Sequence, residues 1–284
     1  MSDVTDPSTS GTPDIEDVFV PPRPAIRRLE MEHPWGWLAA GWRDLRAAPG
    51  ASLPYGLVFA VLGWILLLAV ARWQAFYVIL PVAGGFMLIG PVAAVGLYEI
   101  SRRLGDGHTP RLGETLGAWR PNASQIAFVG VILLVIHIAW MRLAFLIFML
   151  FFSGQPPRPE TTALIDVFFS PSSVPFLAVG TAVGAVLAVI VFSITAVSIP
   201  MLLDRPSTNV ITAMATSVEV VRQNPGPMLL WAWLIVLFIG AGMALGFVGL
   251  IVTLPLIGHA TWAAYRATVT WPEDETKGDG ETAR

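Results

Sequence analysis

The chain has 284 residues, of which 55% are hydrophobic and only 13% are charged, whereas charged residues make up roughly a quarter of soluble domains. The formal net charge of -3 is small, and no basic cluster interleaved with aromatic residues indicates nucleic acid as a partner. Cysteine is absent, which excludes disulfides, thiolate metal sites and cysteine nucleophiles. This composition predicts an integral membrane protein, because a soluble core does not bury apolar runs of this length.

The first fifty residues divide into a tail and an amphipathic segment. Residues 1–25 are rich in Ser, Thr, Pro and Asp, lack the apolar core of a signal peptide and are predicted to be disordered. Residues 26–50 place Trp35, Leu38, Trp42 and Leu45 at helical spacing. Two interpretations stay open: a helix that lies in the lipid headgroup layer, or one that covers the end of the helix bundle.

Six transmembrane helices are predicted, at residues 54–73, 76–100, 125–152, 174–203, 227–246 and 248–269. The last apolar stretch would be roughly 65 Å long as one helix, about twice the hydrocarbon thickness, so a turn is expected near 242–249. Pro200 is expected to kink the fourth helix. A second amphipathic helix is predicted within 204–226, with Ser207 or Thr208 as its N-cap. The predicted fold is therefore all-α, with a membrane domain over 26–270 and a second disordered tail over 271–284.

The positive charges are distributed unequally between the two sides of such a six-helix protein. The side with both termini would carry 14 of the 17 lysines and arginines, the other side Arg72 and Arg158, and Arg142 lies within a span. This bias predicts that both termini are cytoplasmic.

The chain also contains a candidate internal repeat of three units, each an interfacial segment followed by a helical hairpin. The segments that precede the hairpins end in similar sequences, GWRDLRAAPG, GAWRPNAS and EVVRQNPGP. The repeat predicts a bundle of three hairpins. The alternative is that membrane hairpins in general begin with arginine and proline.

Arg142 is the first candidate for a functional residue, because a charge about ten residues, roughly 15 Å, from the end of its helix is costly in a membrane and functional by default. None of the 20 carboxylates falls well inside a predicted span. Asp166 reaches Arg142 only if its loop folds into the membrane. Three interpretations remain: a structural hydrogen-bond hub, a site for a ligand or anion, or a side chain that extends to the interface.

His137 and His259 are the two histidines within predicted spans. Helical geometry places His137 about 140° around the helix from Arg142, so the two are not expected to share a pocket. Together the histidines could bind haem or a metal or relay a proton, but an interhelical hydrogen bond is the favoured interpretation. A haem-copper oxidase core needs more histidine ligands than the four in this chain. We therefore predict no catalytic residues, no metal and no cofactor.

Three stretches carry a family resemblance: VIHIAWMRLAFLIFMLFF at 135–152, and the segments 204–236 and 249–269. They resemble the bacterial integral membrane proteins grouped as domain-of-unknown-function family 2189. The resemblance covers about residues 30–270 and implies a multi-pass protein of the bacterial inner membrane with about six helices. It implies no activity, so no catalytic residues follow from it.

The resulting functional hypothesis is a non-enzymatic scaffold or accessory factor for lipids or for another membrane protein complex, with the bilayer itself as a partner. The alternative is a small transporter with an anion-accepting site near Arg142. A membrane enzyme is disfavoured, since no carboxylate or nucleophile is predicted well inside a span.

Overall fold

The computed structural model of the protein describes residues 24–73, 84–85, 90–153 and 173–271. The helices are α1 (His33–Ala47), α2 (Pro49–Arg72), α3 (Val95–Gly105), α4 (Leu112–Thr115), α5 (Ala123–Phe152), α6 (Ser173–Thr195), α7 (Ser198–Asp204), α8 (Val210–Gln223), α9 (Pro225–Ala244) and α10 (Leu250–Thr268), with a 3-10 turn at Arg120–Asn122. Two short strands, β1 (Ala25–Ile26) and β2 (Val269–Thr270), form a two-stranded sheet. The predicted all-α class is confirmed.

The chain divides into two units, residues 26–269 and residues 1–25 with 270–284. In the smaller unit, Thr270 Oγ1 donates a hydrogen bond of 3.4 Å to the carbonyl of Ala25. The ten helices named above all lie in the larger unit. The two tails predicted from the sequence lie mostly outside the described residues.

Among the described residues, four helical stretches are long and apolar enough to cross a membrane: Pro49–Arg72, Leu112–Phe152, Ser173–Asp204 and Pro225–Ala244. About half of the predicted second span lies outside the described residues, which include 84–85 and 90–100 of it. The predicted sixth span, α10, is not among the four, because Thr253, His259, Tyr265 and Arg266 interrupt its apolar sequence. The chain is thus an integral membrane protein with several candidate spans, and the number six stays a prediction.

The predicted helix boundaries need three adjustments. Helix α2 begins at Pro49, since proline is favoured in the first turn of a helix. The predicted fourth helix is interrupted at residues 196–197, where the Val197 amide donates 3.2 Å to Ser217 Oγ instead of to a helix carbonyl. The N-cap of α8 is neither Ser207 nor Thr208 but Asn209, whose side chain accepts from the Thr212 amide at 2.8 Å.

The turn between α9 and α10 lies where the sequence predicted it. Gly246 and Phe247 both have positive φ angles, 65° and 64°, and Gly242 leaves no room for a Cβ beside the Leu250 backbone. Glycine adopts the left-handed conformation without a steric cost. The two glycines therefore allow an abrupt reversal between the last two helices.

Helix α1 packs against α10 and also contacts α2, α3 and α9. Its buried residues are Pro34, Trp37, Gly41 and Leu45, whereas Trp35 and Trp42 are exposed. The buried face of α1 is therefore rotated about the helix axis relative to the face predicted from Trp35, Leu38, Trp42 and Leu45. A Cβ on Gly41 would lie 2.7 Å from the backbone of Leu256 and Ala260, so glycine permits the close crossing. The structure agrees with the interpretation in which α1 covers the end of the bundle.

Packing is densest at this end of the bundle, which we call the basal layer and define as α1, α3, α7, α8 and residues 254–268 of α10. Almost every residue of 95–101, 196–203 and 254–265 is buried there. Trp37 of α1 meets Trp231 of α9 edge-to-face, with ring centroids 5.5 Å apart. Beyond the basal layer, much of the surface of the candidate spans is not covered by other parts of the protein, as expected of helices that face lipid.

Three junctions connect segments at this end of the bundle to the long helices α2, α5 and α9. The junction residues Ala48, Asn122 and Asn224 share one backbone conformation, with φ of -134°, -131° and -129° and ψ of 57°, 39° and 53°. An arginine stands two residues before each of them. This shared geometry agrees with the internal repeat predicted from the sequence.

Candidate functional site

A polar chain joins three helices of the basal layer, α1, α3 and α10, to α2. His259 is completely buried on α10. Its Nε2 lies 2.9 Å from Ser52 Oγ on α2, and its Nδ1 lies 2.8 Å from Ser101 Oγ on α3. Ser101 Oγ is in turn 2.7 Å from Asp44 Oδ2 on α1, and Ser52 Oγ is 2.8 Å from the Ala48 carbonyl. We call Asp44, Ser101, His259 and Ser52 the polar chain.

The polar chain contains a hydroxyl, an imidazole and an acid, the groups that activate a nucleophile in other proteins, but Ser101 lies between the imidazole and the acid. Here Ser52, the hydroxyl at its end, is completely buried. A substrate would have to reach that oxygen through packed helices. The arrangement is therefore better suited to holding α1, α2, α3 and α10 together than to attack on a substrate.

Two asparagines make the corresponding connections at the other junctions. Asn224 Oδ1 accepts from the Leu29 amide at 2.8 Å, and its Nδ2 donates to the Arg27 carbonyl at 3.1 Å. Asn122 Nδ2 donates to the Leu202 carbonyl at 3.0 Å. Both side chains are buried, so each satisfies backbone groups that would otherwise be unpaired.

Charged groups cluster at the ends of α3 and α7. The buried Glu99 carboxylate accepts hydrogen bonds from Arg102, at 2.8 and 2.9 Å, and from Arg103, at 2.7 Å. Asp204 accepts from the Tyr265 hydroxyl at 2.8 Å and lies 3.5 Å from the Arg266 guanidinium. Such bidentate and multiple contacts make the carboxylates far less costly to bury.

These charges line an open cleft of about 720 Å³ on the surface of the basal layer, which we call the basal cleft. It runs between α3, the segment 113–121 and the end of α7. Three arginines and three carboxylates face it, together with apolar residues: Arg102, Arg103, Arg120, Glu99, Glu114, Asp204, Leu116, Leu203, Pro121 and Pro206. A cleft with balanced charge and apolar residues is typical of a contact surface, whereas small-molecule sites are more enclosed.

Exposed aromatic side chains also occur at this end of the molecule. Trp35 and Trp42 project from α1, and Trp119 lies beside the basal cleft. At the far end of α2, Trp73 is 76% exposed. Tryptophan favours the interface between lipid and water, so these positions are consistent with a bilayer around the spans.

Arg142 lies on α5 with an exposed side chain. Within the described ranges, no hydrogen bond or ion pair to its guanidinium is found. Of the polar residues near the predicted spans, Ser193 and Thr195 donate to carbonyls of their own helix, at 2.7 Å each. Asp166, the predicted acidic partner, lies outside the described residues. The role of Arg142 therefore stays a prediction.

His137 occupies a different environment from His259. Its half-buried imidazole lies against Gly85, where a Cβ would overlap the ring. The neighbouring Trp140 lies over Gly84 and beside Gly184. Both ring nitrogens of His259 contact serine hydroxyls, so the interhelical hydrogen bond favoured for this residue is present. Neither nitrogen is left for a metal or haem iron.

Metal binding can be assessed only over the part of the chain that the structure describes. There, no group of three or more His, Asp or Glu side chains is placed to hold a metal ion. The carboxylates of the basal layer contact arginine, serine or tyrosine instead.

Sequence reasoning missed Asp44, Ser52 and Ser101. Asp44 lies between the apolar positions of the amphipathic segment 26–50, and Ser52 and Ser101 lie close to boundaries of the predicted spans, where serine is common. One signal was present: each falls within a few residues of a junction or of a cluster of arginines. That signal identifies the right end of the bundle but no partner.

Comparison with known proteins gives one match. Residues 77–204 match the family described as a predicted integral membrane protein, domain-of-unknown-function family 2189. The match includes α5 and Ser101 but ends at Asp204, so it is narrower than the resemblance seen in the sequence. Asp44, Ser52 and His259 lie outside it. No curated protein and no solved structure shows significant similarity to the chain.

Proposed function

We propose that the protein is a non-enzymatic scaffold or accessory factor of the bacterial inner membrane, which contacts lipids or another membrane protein complex through its basal layer. The observation that carries this proposal is the basal cleft, an open surface with balanced charge supported by fully packed helices. A rigid surface loses little conformational entropy when a partner binds.

The proposal includes a topology of six spans in three hairpins, with both termini and the basal layer in the cytoplasm. The distribution of arginines supports this orientation, because 14 of the 17 positive residues fall on the side of the termini. The shared conformation of Ala48, Asn122 and Asn224 supports three equivalent units. Surface labelling of single cysteines in intact cells and in inverted vesicles tests the topology.

The absence of cysteine from the sequence makes the contact surface straightforward to test. We expect a crosslinker attached at Leu116→Cys, in the basal cleft, to give a discrete adduct in native membranes. The same reagent at Val186→Cys, on the exposed side of α6, is the matched control. The adduct from position 116 should disappear when Arg120→Glu is added, since this substitution reverses a charge of the cleft.

Purification in mild detergent provides the second part of the test. Retention of a defined partner or of specific lipids, lost in the Arg120→Glu variant, supports the proposal. If positions 116 and 186 give the same adducts and nothing is retained, the basal cleft is not a contact surface and the proposal fails.

A small transporter is the second candidate, favoured by the exposed Arg142 within an apolar helix. Reconstitution in liposomes distinguishes it from the scaffold. Loss of anion uptake in Arg142→Ala, with unchanged expression and thermal stability, would establish the transporter and refute the scaffold. A variant that only lowers thermal stability would make Arg142 structural.

A further inference from the structure

The polar chain forms one uninterrupted series of hydrogen-bond contacts. It runs from Asp44 Oδ2 to Ser101 Oγ at 2.7 Å, to His259 Nδ1 at 2.8 Å, from His259 Nε2 to Ser52 Oγ at 2.9 Å, and to the Ala48 carbonyl at 2.8 Å. Each distance is that of a normal hydrogen bond. Four contacts therefore need four protons.

The groups do not supply four protons in their ordinary neutral-pH states. Each serine hydroxyl has one proton and a neutral imidazole has one, whereas a carboxylate and a carbonyl only accept. With Asp44 ionised and His259 neutral, three protons serve four contacts. Ser101 then donates to Asp44, His259 Nδ1 donates to Ser101 and Ser52 donates to His259 Nε2. The contact between Ser52 and the Ala48 carbonyl is left without a proton.

One additional proton completes the series, and it can reside on either of two groups. On His259 it creates an imidazolium opposite an ionised Asp44, which places a charge on a completely buried side chain. On Asp44 it leaves every member neutral. The carboxyl then donates to Ser101, Ser101 to Nδ1, Nε2 to Ser52, and Ser52 to the Ala48 carbonyl.

We propose that the polar chain is a binding site for a single proton, which resides on the Asp44 carboxyl and stabilises the contact of α1 with α2, α3 and α10. Burial raises the pKa of the Asp44 carboxyl and outweighs the opposing effects of the Ser101 hydrogen bond and the nearby Arg43 charge. That direction agrees with a proton held on the carboxyl.

Other titratable groups of the packed helices have partners elsewhere or stay neutral, as the buried Tyr98 of α3 does at ordinary pH. On α3, Glu99 binds Arg102 and Arg103. On α2, the Tyr55 hydroxyl lies 3.0 Å from Thr115, and on α10, Tyr265 and Arg266 contact Asp204. Helix α9 has no titratable side chain. On α1, Arg43 and Arg46 are exposed to solvent, where their charges are screened.

The sign of the pH dependence follows from the raised pKa of Asp44 in the docked state. An undocked Asp44 has the ordinary value of about 3.9. The stabilisation of docking by this proton is fully present below that value and is lost as pH rises through the docked-state pKa. For one proton, the docking equilibrium constant falls by at most about tenfold per pH unit. Above the docked-state pKa the equilibrium is independent of this group.

Hydrogen exchange of the α1 amides in the full-length protein in nanodiscs tests the proposal. Wild-type α1 should exchange progressively faster, relative to the intrinsic rate, as pH rises through the transition. Asp44→Asn supplies a permanent amide donor to Ser101 and should remove this pH dependence while keeping α1 protected. Asp106→Asn, at an exposed carboxylate, is the matched control and should behave as the wild type does.

Nitrogen-15 NMR of the imidazole provides an independent readout. A His33→Gln, His108→Gln, His137→Gln variant leaves His259 as the single histidine. Its neutral ring should carry the proton on Nε2 below the transition and on Nδ1 above it, because ionisation of Asp44 reverses the direction of the chain. Equal pH profiles for wild type and Asp44→Asn, or an Nδ1 proton at every pH, would overturn the proposal.

Discussion

The basal layer and the long helix α5 are held by different forces. In the basal layer, Leu97, Ile100, Val197 and Leu202 are fully buried and polar groups pair across helices. In the stretch Leu112–Phe152, which contains α5, only 11% of the most apolar 18-residue segment is buried inside the protein. Lipid is as apolar as leucine, so a span gains little from covering its side chains with protein. The comparison indicates that structural specificity resides in the basal layer, whereas the spans mainly anchor it.

The largest difference in stability between the basal layer and α5 is expected when a leucine in each is truncated to alanine. Leu97→Ala removes a completely buried side chain of α3 and should reduce the free energy of unfolding by about 2–5 kcal/mol. Leu134→Ala on α5, where the side chain is 57% exposed, should change it by less than about 0.5 kcal/mol. Thermal unfolding in the same detergent measures both. Equal losses would mean that α5 is packed against something in its native setting.

Added methyl groups at glycines give the second difference. Gly41→Ala would force α1 away from the backbone of α10 and should cost about 1–3 kcal/mol. Gly130→Ala on α5 meets no atom within 4 Å and should be neutral or stabilising by up to about 1 kcal/mol, since alanine is the better helix former. Circular dichroism during thermal unfolding separates the two, and Gly36→Ala is a control within α1. An unaffected Gly41→Ala would argue against the close crossing.

The smallest of these differences concerns serine hydroxyls. Ser101→Ala removes the 2.8 Å contact to His259 Nδ1 in a buried site and should cost about 1–3 kcal/mol. Ser193→Ala removes a hydroxyl that bonds only to a carbonyl of its own helix, and its effect should lie within about 0.5 kcal/mol. Chemical denaturation with fluorescence detection gives both values. If Ser193→Ala is the more harmful variant, the contrast between basal layer and spans is wrong.

The long helices were predictable because their signal is local. Apolar runs locate α2 and α9, although these helices begin at Pro49 and Pro225, before the predicted starts at 54 and 227. The excess length of the final stretch required a turn, which Gly246 and Phe247 provide. The buried face of α1 was not predictable in the same way. Tryptophan at helical spacing suits both a lipid interface and a helix contact, and only Gly41, which permits a close crossing, distinguishes the two.

The polar chain could be predicted only at His259, for which an interhelical hydrogen bond was expected. Its partners Ser52 and Ser101 carry no individual signal, because a serine in a helix usually bonds to its own backbone. Their pairing with His259 depends on how α2, α3 and α10 are placed, which is tertiary information. Arg142 illustrates the converse, since an intramembrane charge is conspicuous in the sequence whether or not a partner is present.

The polar chain has a consequence for synthesis of the protein at the ribosome. Ser52 cannot contact His259 until a further 207 residues have been synthesised. His259 lies on α10, which is less apolar than the four candidate spans. At about 5–20 residues per second, translation leaves α1 without its principal contact for on the order of ten seconds or more. During that interval Asp44 and the Trp37 side chain are open to chaperones and to membrane proteases. The basal layer can therefore pack correctly only after α10 has been synthesised.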